Sequence, residues 1–198
     1  MTSVDADNIR MWQLGLGPMG RKLVVAAHER GYEIVGASDP AHAGRAIGEL
    51  VDAPGLDDVE VEATGVGRDV DVVQVATVSD AAQVASQIRD ALPRADAVVT
   101  TCERLAYPTG DDRSLADSLD DEARAADTGV LAAGINPGYA MDLFPVFGTG
   151  ASSAIERIEV LRRADVSDRR APLQHKVGAG MTPDAFERAA ARNEIGHR

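Results

Sequence analysis

The chain has 198 residues, with 20 lysines and arginines against 32 aspartates and glutamates, for a formal charge of −12. A surface this acidic repels the phosphates of nucleic acids and of anionic lipids, so neither a nucleic acid nor a membrane is expected as a partner. No stretch approaches the roughly 20 apolar residues that cross a bilayer; the single cysteine, Cys102, excludes an internal disulfide and fits a reducing, cytoplasmic setting.

Met1–Asn8 carries two aspartates and no basic or apolar block, which reads as a short disordered lead and not a signal peptide. Lysine occurs only at Lys22 and Lys176. A high-salt cytoplasm favours such an acidic, lysine-poor surface, and a GC-rich genome coding for an ordinary acidic protein produces the same composition.

Met11-Trp12-Gln13-Leu14 is a short apolar run, and Lys22–Ala27 has a helical pattern. Between them Gln13–Gly20 reads Q-L-G-L-G-P-M-G, with Gly15, Gly17 and Gly20 on a G-x-G-x-x-G spacing and Pro18 and Met19 inside the turn. The first glycine permits a tight strand-to-helix turn. The second has no Cβ to block a pyrophosphate, and the third lets the helix lie close. The start of the helix then offers unpaired N–H groups and its positive dipole end to phosphates. Gly31 stops the helix, Glu33–Ala37 reads as a second strand, and Asp39 stands at its end, where an acid holds the hydroxyls of a ribose.

Further along, Ala46–Leu50 suggests a short helical turn, and Asp57–Ala63 a short edge strand with Val59 and Val61 on one face. Asp71–Thr77 is a β-branched run suited to a strand buried on both faces. Ser79 or Asp80 caps a helix to about Leu92, with Val84, Ile88 and Leu92 on one stripe; Ala95–Thr101 is the next buried strand. A helix from about Ser114 to Asp127, ended by Gly129, precedes a strand at Val130–Ala133. This alternation predicts βαβ units and an α/β fold: a Rossmann-type, doubly wound parallel sheet over residues 9–150. Beyond Gly150, Ile155–Leu161 alternates strictly, as a half-exposed strand does, and Thr182–Asn193 reads as an amphipathic helix capped by Thr182. Residues 151–198 are therefore expected to begin an α+β second domain that is truncated, and a half-built sheet favours pairing with another chain, as in a homodimer.

In such sheets ligands bind beyond the carboxyl ends of the strands. That places three loops at the site: Gly15–Gly20 for phosphates, Ala76-Thr77 for passage of the nicotinamide half, and Thr101–Tyr107. Ordinary strand-end packing accounts equally well for Ala76 and Thr77. Glu103, just past a strand on that edge, could bind an ammonium group or accept a proton, although spacing alone describes a surface Glu103 paired with Arg104 more simply. Cys102 has no histidine near it and reads as a small buried hydrophobe. Asn136 and Pro137 have the types expected at the cap and first turn of a helix, whose free N–H groups would point into the crevice. His28, His42, His175 and His197 show no metal-ligand spacing, and no metal is expected.

Four stretches, G-L-G-P-M-G-R-K-L-V, T-C-E-R-L-A-Y-P, G-I-N-P-G-Y-A-M-D-L-F-P-V and R-R-A-P-L-Q-H-K-V-G-A-G-M-T-P-D-A-F, together resemble the 2,4-diaminopentanoate dehydrogenase family, a group of nicotinamide-dependent amine dehydrogenases similar to dihydrodipicolinate reductase. The resemblance implies oxidative deamination of a small amine to a ketone and ammonia, or the reverse. It implies NAD as cofactor, because the charge of Asp39 repels a 2′-phosphate, with NADP admitted if Arg45 folds back. It gives Glu103 the substrate amine and assistance in proton transfer, and sets Tyr107 and the Asn136-Pro137-Gly138 turn beside the nicotinamide. Family chains are longer, with an α+β domain completing the pocket, so a dinucleotide-binding module needing a partner chain is the rival expectation. The paired-histidine signature of the reductase of lysine synthesis is absent, which argues against that activity. The acidic surface argues against a redox-sensing regulator of transcription.

Overall fold

The structure, a computed structural model, describes residues 9–167, 171–192 and 194–195. The expected lead at Met1–Asn8, the Arg169-Arg170 start of the last motif and the helix end at Asn193 lie outside these residues. The chain forms two compact units, 1–155 and 156–198.

In the first unit the strands are β1 (Arg10–Leu14), β2 (Glu33–Ser38), β3 (Val61–Glu62), β4 (Val70–Val75), β5 (Ala95–Thr100) and β6 (Gly129–Ala132). They form one sheet in the order β3-β2-β1-β4-β5-β6, and every pairing is parallel. The chain leaves β1 toward one edge and resumes at β4 toward the other. Right-handed crossovers then put the connecting helices on opposite faces. On one face, α1 (Pro18–His28) contributes Val24 and Ala27 to a layer with Met11, Leu16, Ile34, Ala37 and Ile47. On the other, α2 (Ala81–Ala91) and α4 (Asp111–Ala125) cover Trp12, Leu14, Val73, Val75 and Val98 with Val84, Ile88, Leu119 and Ala123. Neighbours in β1 thus feed opposite layers, as the two-residue period of a strand requires.

Local signals explain most boundaries. The Asp80 side chain accepts from Gln83 N–H at 2.9 Å and caps α2, and Ile47–Glu49 forms the expected turn as one of 3₁₀ helix. The helix expected from Ser114 starts earlier, at Asp111, directly after Gly110 in the left-handed region (φ 57°). It ends at Ala125 and not Asp127. Asp127 itself takes the left-handed conformation (φ 55°), and the N–H groups of Asp127 and Thr128 close on Arg124 O and Ala123 O. Asp127 therefore fills a place usually held by glycine, and Gly129 is released to begin β6.

The alternating segment Ile155–Leu161 does not form the expected strand; residues 154–166 carry neither strand nor helix. Alternation assigns side chains to faces, but a strand also requires a neighbour for its N–H and C=O groups, and among the described residues none is paired to it. The second unit contains α5 (Ala171–Lys176) and α6 (Pro183–Ala191), the latter capped by Thr182, whose Oγ1 accepts from Ala185 N–H at 3.4 Å. No helix among the described residues is long and apolar enough to cross a membrane.

The seam between β1 and β2 is packed around Trp12. Its Nε1–H donates to Ser38 Oγ at 3.1 Å, and that hydroxyl donates to Gly65 O at 2.6 Å. A methyl group on Gly36 would overlap the Trp12 ring. Gly36→Ala is therefore expected to cost about 1–3 kcal/mol, as overpacking does. It should also shift the emission of Trp12, the sole tryptophan, in the folded state; urea unfolding followed by fluorescence reads both effects.

Candidate functional site

Because all six strands run the same way, the segments leaving β1, β4, β5 and β6 lie along one edge of the sheet. The switch in winding falls between β1 and β4, where a parallel sheet opens a crevice.

The segment after β1 is held from several sides. Gly15 has φ 88°, its N–H donates to Ser38 O at 2.8 Å, and a Cβ there would lie 2.6 Å from Ala76 O. Gly20 stands so close that a Cβ would overlap the Gly15 carbonyl. Gly17 is the opposite case: an added Cβ would meet nothing within 4 Å. Two of the glycines are thus required by the protein's own packing, and the third faces open space. Pro18 occupies the first turn of α1 with Met19, which is 56% exposed.

Beneath the turn, Gln13 is fully buried and its Nε2 donates to Leu14 O and Gly15 O, each at 3.0 Å. From the second strand, Asp39 Oδ2 accepts the Leu16 N–H at 2.7 Å and Oδ1 the Ala41 N–H at 2.9 Å. Arg21 holds the other backbone group of Leu16, with Nε donating to Leu16 O at 2.8 Å and Nη2 to His42 Nε2 at 2.9 Å. Arg45, the cation that the sequence points to for this region, is instead paired with Glu49 at 3.0 Å.

Ala76 and Thr77 lie against Gly15, which joins the second loop to the first; Thr77 Oγ1 also donates to Gln87 Oε1 at 2.5 Å. After β5, Cys102 is buried, and desolvation pushes its thiol pKa up, which holds it as the neutral thiol. Glu103 opens the short helix α3 (Glu103–Ala106). It does not pair with Arg104, whose guanidinium instead grips Asp112 through bonds of 2.8 and 2.6 Å. Glu103 Oε1 accepts the N–H groups of Ile135 (3.3 Å) and Asn136 (3.1 Å). Its second oxygen carries no hydrogen bond among the described residues. Tyr107, at the end of α3, is 65% exposed.

The loop after β6 differs from the expected capped helix. Asn136 does not cap; its peptide bond to Pro137 is cis, and the helical turn begins at Tyr139 with Gly138 (φ 135°) before it. The reason lies in how tightly the loop folds back: Tyr139 N–H bonds Gly134 O at 2.8 Å, Ala140 N–H bonds Ile135 O at 2.9 Å, and Gly134 and Gly138 leave no room for a Cβ. Nor are the N–H groups of Ile135, Asn136 and Gly138 free. Those of Ile135 and Asn136 go to Glu103, and that of Gly138 to Asp142 Oδ2 at 2.7 Å.

A parallel sheet in this strand order, with a glycine turn at the switch point and an acid closing it from the second strand, leaves one assignment. The first unit is a Rossmann fold. No protein-family model matches the chain. In sequence it is similar to the 2,4-diaminopentanoate dehydrogenase of Acetoanaerobium sticklandii, 26% identical over 96% of this chain and 56% of that protein, in agreement with the resemblance carried by the motifs. Its fold is similar to that of an amine dehydrogenase from Mycobacterium smegmatis, with a TM-score of 0.61 and 21% identity over 73% of this chain and 44% of the other. The chain thus spans 56% and 44% of the lengths of these two proteins.

Two parts of the Rossmann turn escape a reading of the sequence. Gln13 sits in the otherwise apolar run Met11–Leu14, and only its polarity at a buried position marks it. Arg21 follows directly on the third glycine, where its reach across to His42 depends on the path of the loop after Asp39.

Gly20→Ala tests the turn without any ligand. The overlap with the Gly15 carbonyl predicts a loss of roughly 1–3 kcal/mol in thermal or urea unfolding. Stability equal to that of the parent would show that the turn can move aside.

Proposed function

We propose that this chain binds a nicotinamide dinucleotide across the β1/β4 crevice and serves oxidation of a CH–NH2 group, or the reverse reductive amination. The observation that carries the reading is Gly17: the one glycine of the turn that internal packing does not require is the one facing open space at the start of α1. A pyrophosphate fits such a cradle, because the surrounding N–H groups and helix dipole favour its charge and no side chain blocks approach. In this reading Gly15, Pro18, Met19 and Gly20 shape the phosphate site, Asp39 meets the adenine ribose, and Ala76 and Thr77 line the path of the nicotinamide. Asn136, Pro137 and Gly138 border the ring together with Tyr107.

The bound nicotinamide supplies the hydride acceptor. Overall, a protonated primary amine on a secondary carbon, NAD+ and one water give the ketone, an ammonium ion, NADH and a proton. Positive charge spreads onto the substrate's carbon and nitrogen as the hydride leaves, so a carboxylate nearby lowers the barrier. Glu103 suits that task. One oxygen is anchored by two backbone N–H groups, which fixes the side chain, and the other is left to hold the ammonium and take up its proton. The sequence similarity to 2,4-diaminopentanoate dehydrogenase supports an amine as the substrate class. The segment at residues 154–166, which pairs with no neighbour among the described residues, supports the rival reading, a dinucleotide-binding module that needs a second chain to complete its pocket.

Two variants test the proposal. Gly17→Ala should keep the parent melting temperature yet weaken NADH binding by about tenfold or more, as read by NADH fluorescence; parent-like affinity would remove the turn from the cofactor site. Glu103→Gln keeps a carbonyl oxygen for Ile135 and Asn136 N–H and so retains NADH binding, but amine-dependent NADH formation should fall by roughly 100-fold or more. Turnover equal to the parent would take Glu103 out of the chemistry. NADH binding with no turnover on any short amine or diamine would favour the module.

A further inference from the structure

The acid at the end of β2 speaks for NAD, yet its surroundings do not. Both Asp39 oxygens already accept backbone N–H groups, at 2.7 Å from Leu16 and 2.9 Å from Ala41. These dipoles offset part of its charge and fix the carboxylate toward the turn. On the same turn stands Arg21, half-buried, with Nε on Leu16 O and Nη2 on His42 Nε2 at 2.9 Å. A guanidinium has donors only, so His42 Nε2 is the acceptor in this pair. His42 lies three residues past Asp39, and its N–H bonds back to Asp39 O at 3.0 Å. The tip of Arg21 is thereby carried to the loop that follows the ribose-binding acid. Its Nη1 has no hydrogen bond among the described residues.

We propose that Arg21 is a binding residue for the 2′-phosphate of a phosphorylated dinucleotide, with His42 positioning its guanidinium, so that the site accepts NADPH as well as NADH. The inference rests on the dinucleotide reading above and adds to it a cation for the 2′ position. An acid at the end of β2 addresses the 2′-hydroxyl, whereas a nearby arginine accommodates a 2′-phosphate. Here one residue, Leu16, joins both devices: its N–H is held by the acid and its C=O, in the next peptide, by the cation. A phosphate at this place takes Nη1 at once and can replace the imidazole as acceptor for Nη2. That is the two-donor geometry for which arginine is suited and lysine is not. The other cation of this loop, Arg45, is engaged by Glu49.

The experiment compares Kd values for NADH and NADPH, read by their fluorescence, in the parent, Arg21→Gln, Arg21→Lys and His42→Gln, with melting temperatures to confirm folding. The parent is expected to bind both cofactors within about tenfold of each other. Arg21→Gln should raise the NADPH Kd roughly tenfold more than the NADH Kd, the loss of a charge-assisted contact. Arg21→Lys should fall between, and His42→Gln should lower the NADPH preference by a few-fold. In addition, 2′,5′-ADP should displace NADH better than 5′-AMP does in the parent but not in Arg21→Gln. Equal weakening of both cofactors in Arg21→Gln would make Arg21 only a support of the glycine turn and overturn the proposal. So would a parent that binds NADH and not NADPH, with the dinucleotide reading intact. A parent that binds neither overturns both.

Discussion

The first turn of α1 stands directly on the carbonyl of Gly15, with no room for a methyl group between them. Much of the site follows from that contact. It sets how near the helix comes to the end of β1 and so brings the helix start to the crevice where the winding of the sheet reverses. It also compresses the turn so far that the Gly15 carbonyl must find its partner inside the protein. Gln13 supplies it from below, a buried polar side chain whose amide donates to both Leu14 O and Gly15 O. The helix, the turn and the buried amide form one assembly, and Gly17 at its open side is the place left for something else.

The two carboxylates in the candidate site follow a common pattern. Asp39 and Glu103 each accept two backbone N–H groups, and each thereby ties together chain segments distant in sequence: β2 to the glycine turn, and α3 to the loop after β6. For Glu103, one oxygen carries this whole structural load. A carboxylate fixed in this way does not have to lose rotamer freedom when a ligand arrives, and that is a favourable starting point for holding a cation.

Much of the fold could be read directly from the sequence, because its signals are local. The apolar runs at Met11–Leu14 and Asp71–Thr77, the glycine spacing, the Asp80 cap and Asp39 each act within a few residues of the element they define. The site was less legible, and the misses share a cause. That Glu103 reaches Ile135 and Asn136, that Arg21 reaches His42, and that Arg104 prefers Asp112 to its own neighbour are consequences of where loops return, which spacing does not encode. Asn136 and Pro137 have the right residue types for a helix start, but the hydrogen bonds of Tyr139 and Ala140 to Gly134 and Ile135 delay that start to Tyr139. The alternation at Ile155–Leu161 is a true pattern without a neighbour, and a pattern by itself carries no hydrogen bonds.

The double engagement of Asp39 has a consequence for how such a chain can change over generations. A residue that only touched a ribose could drift freely whenever the demand on the ligand altered. Asp39 closes the N–H of Leu16, so replacing it would disturb the turn whatever ligand the site takes. The part of this corner that substitution can reach without opening that bond is therefore the side of the Leu16 carbonyl. There the residues beyond the acid, Ala41 to Arg45, and the partner that Arg21 finds among them can be exchanged while the turn stays closed.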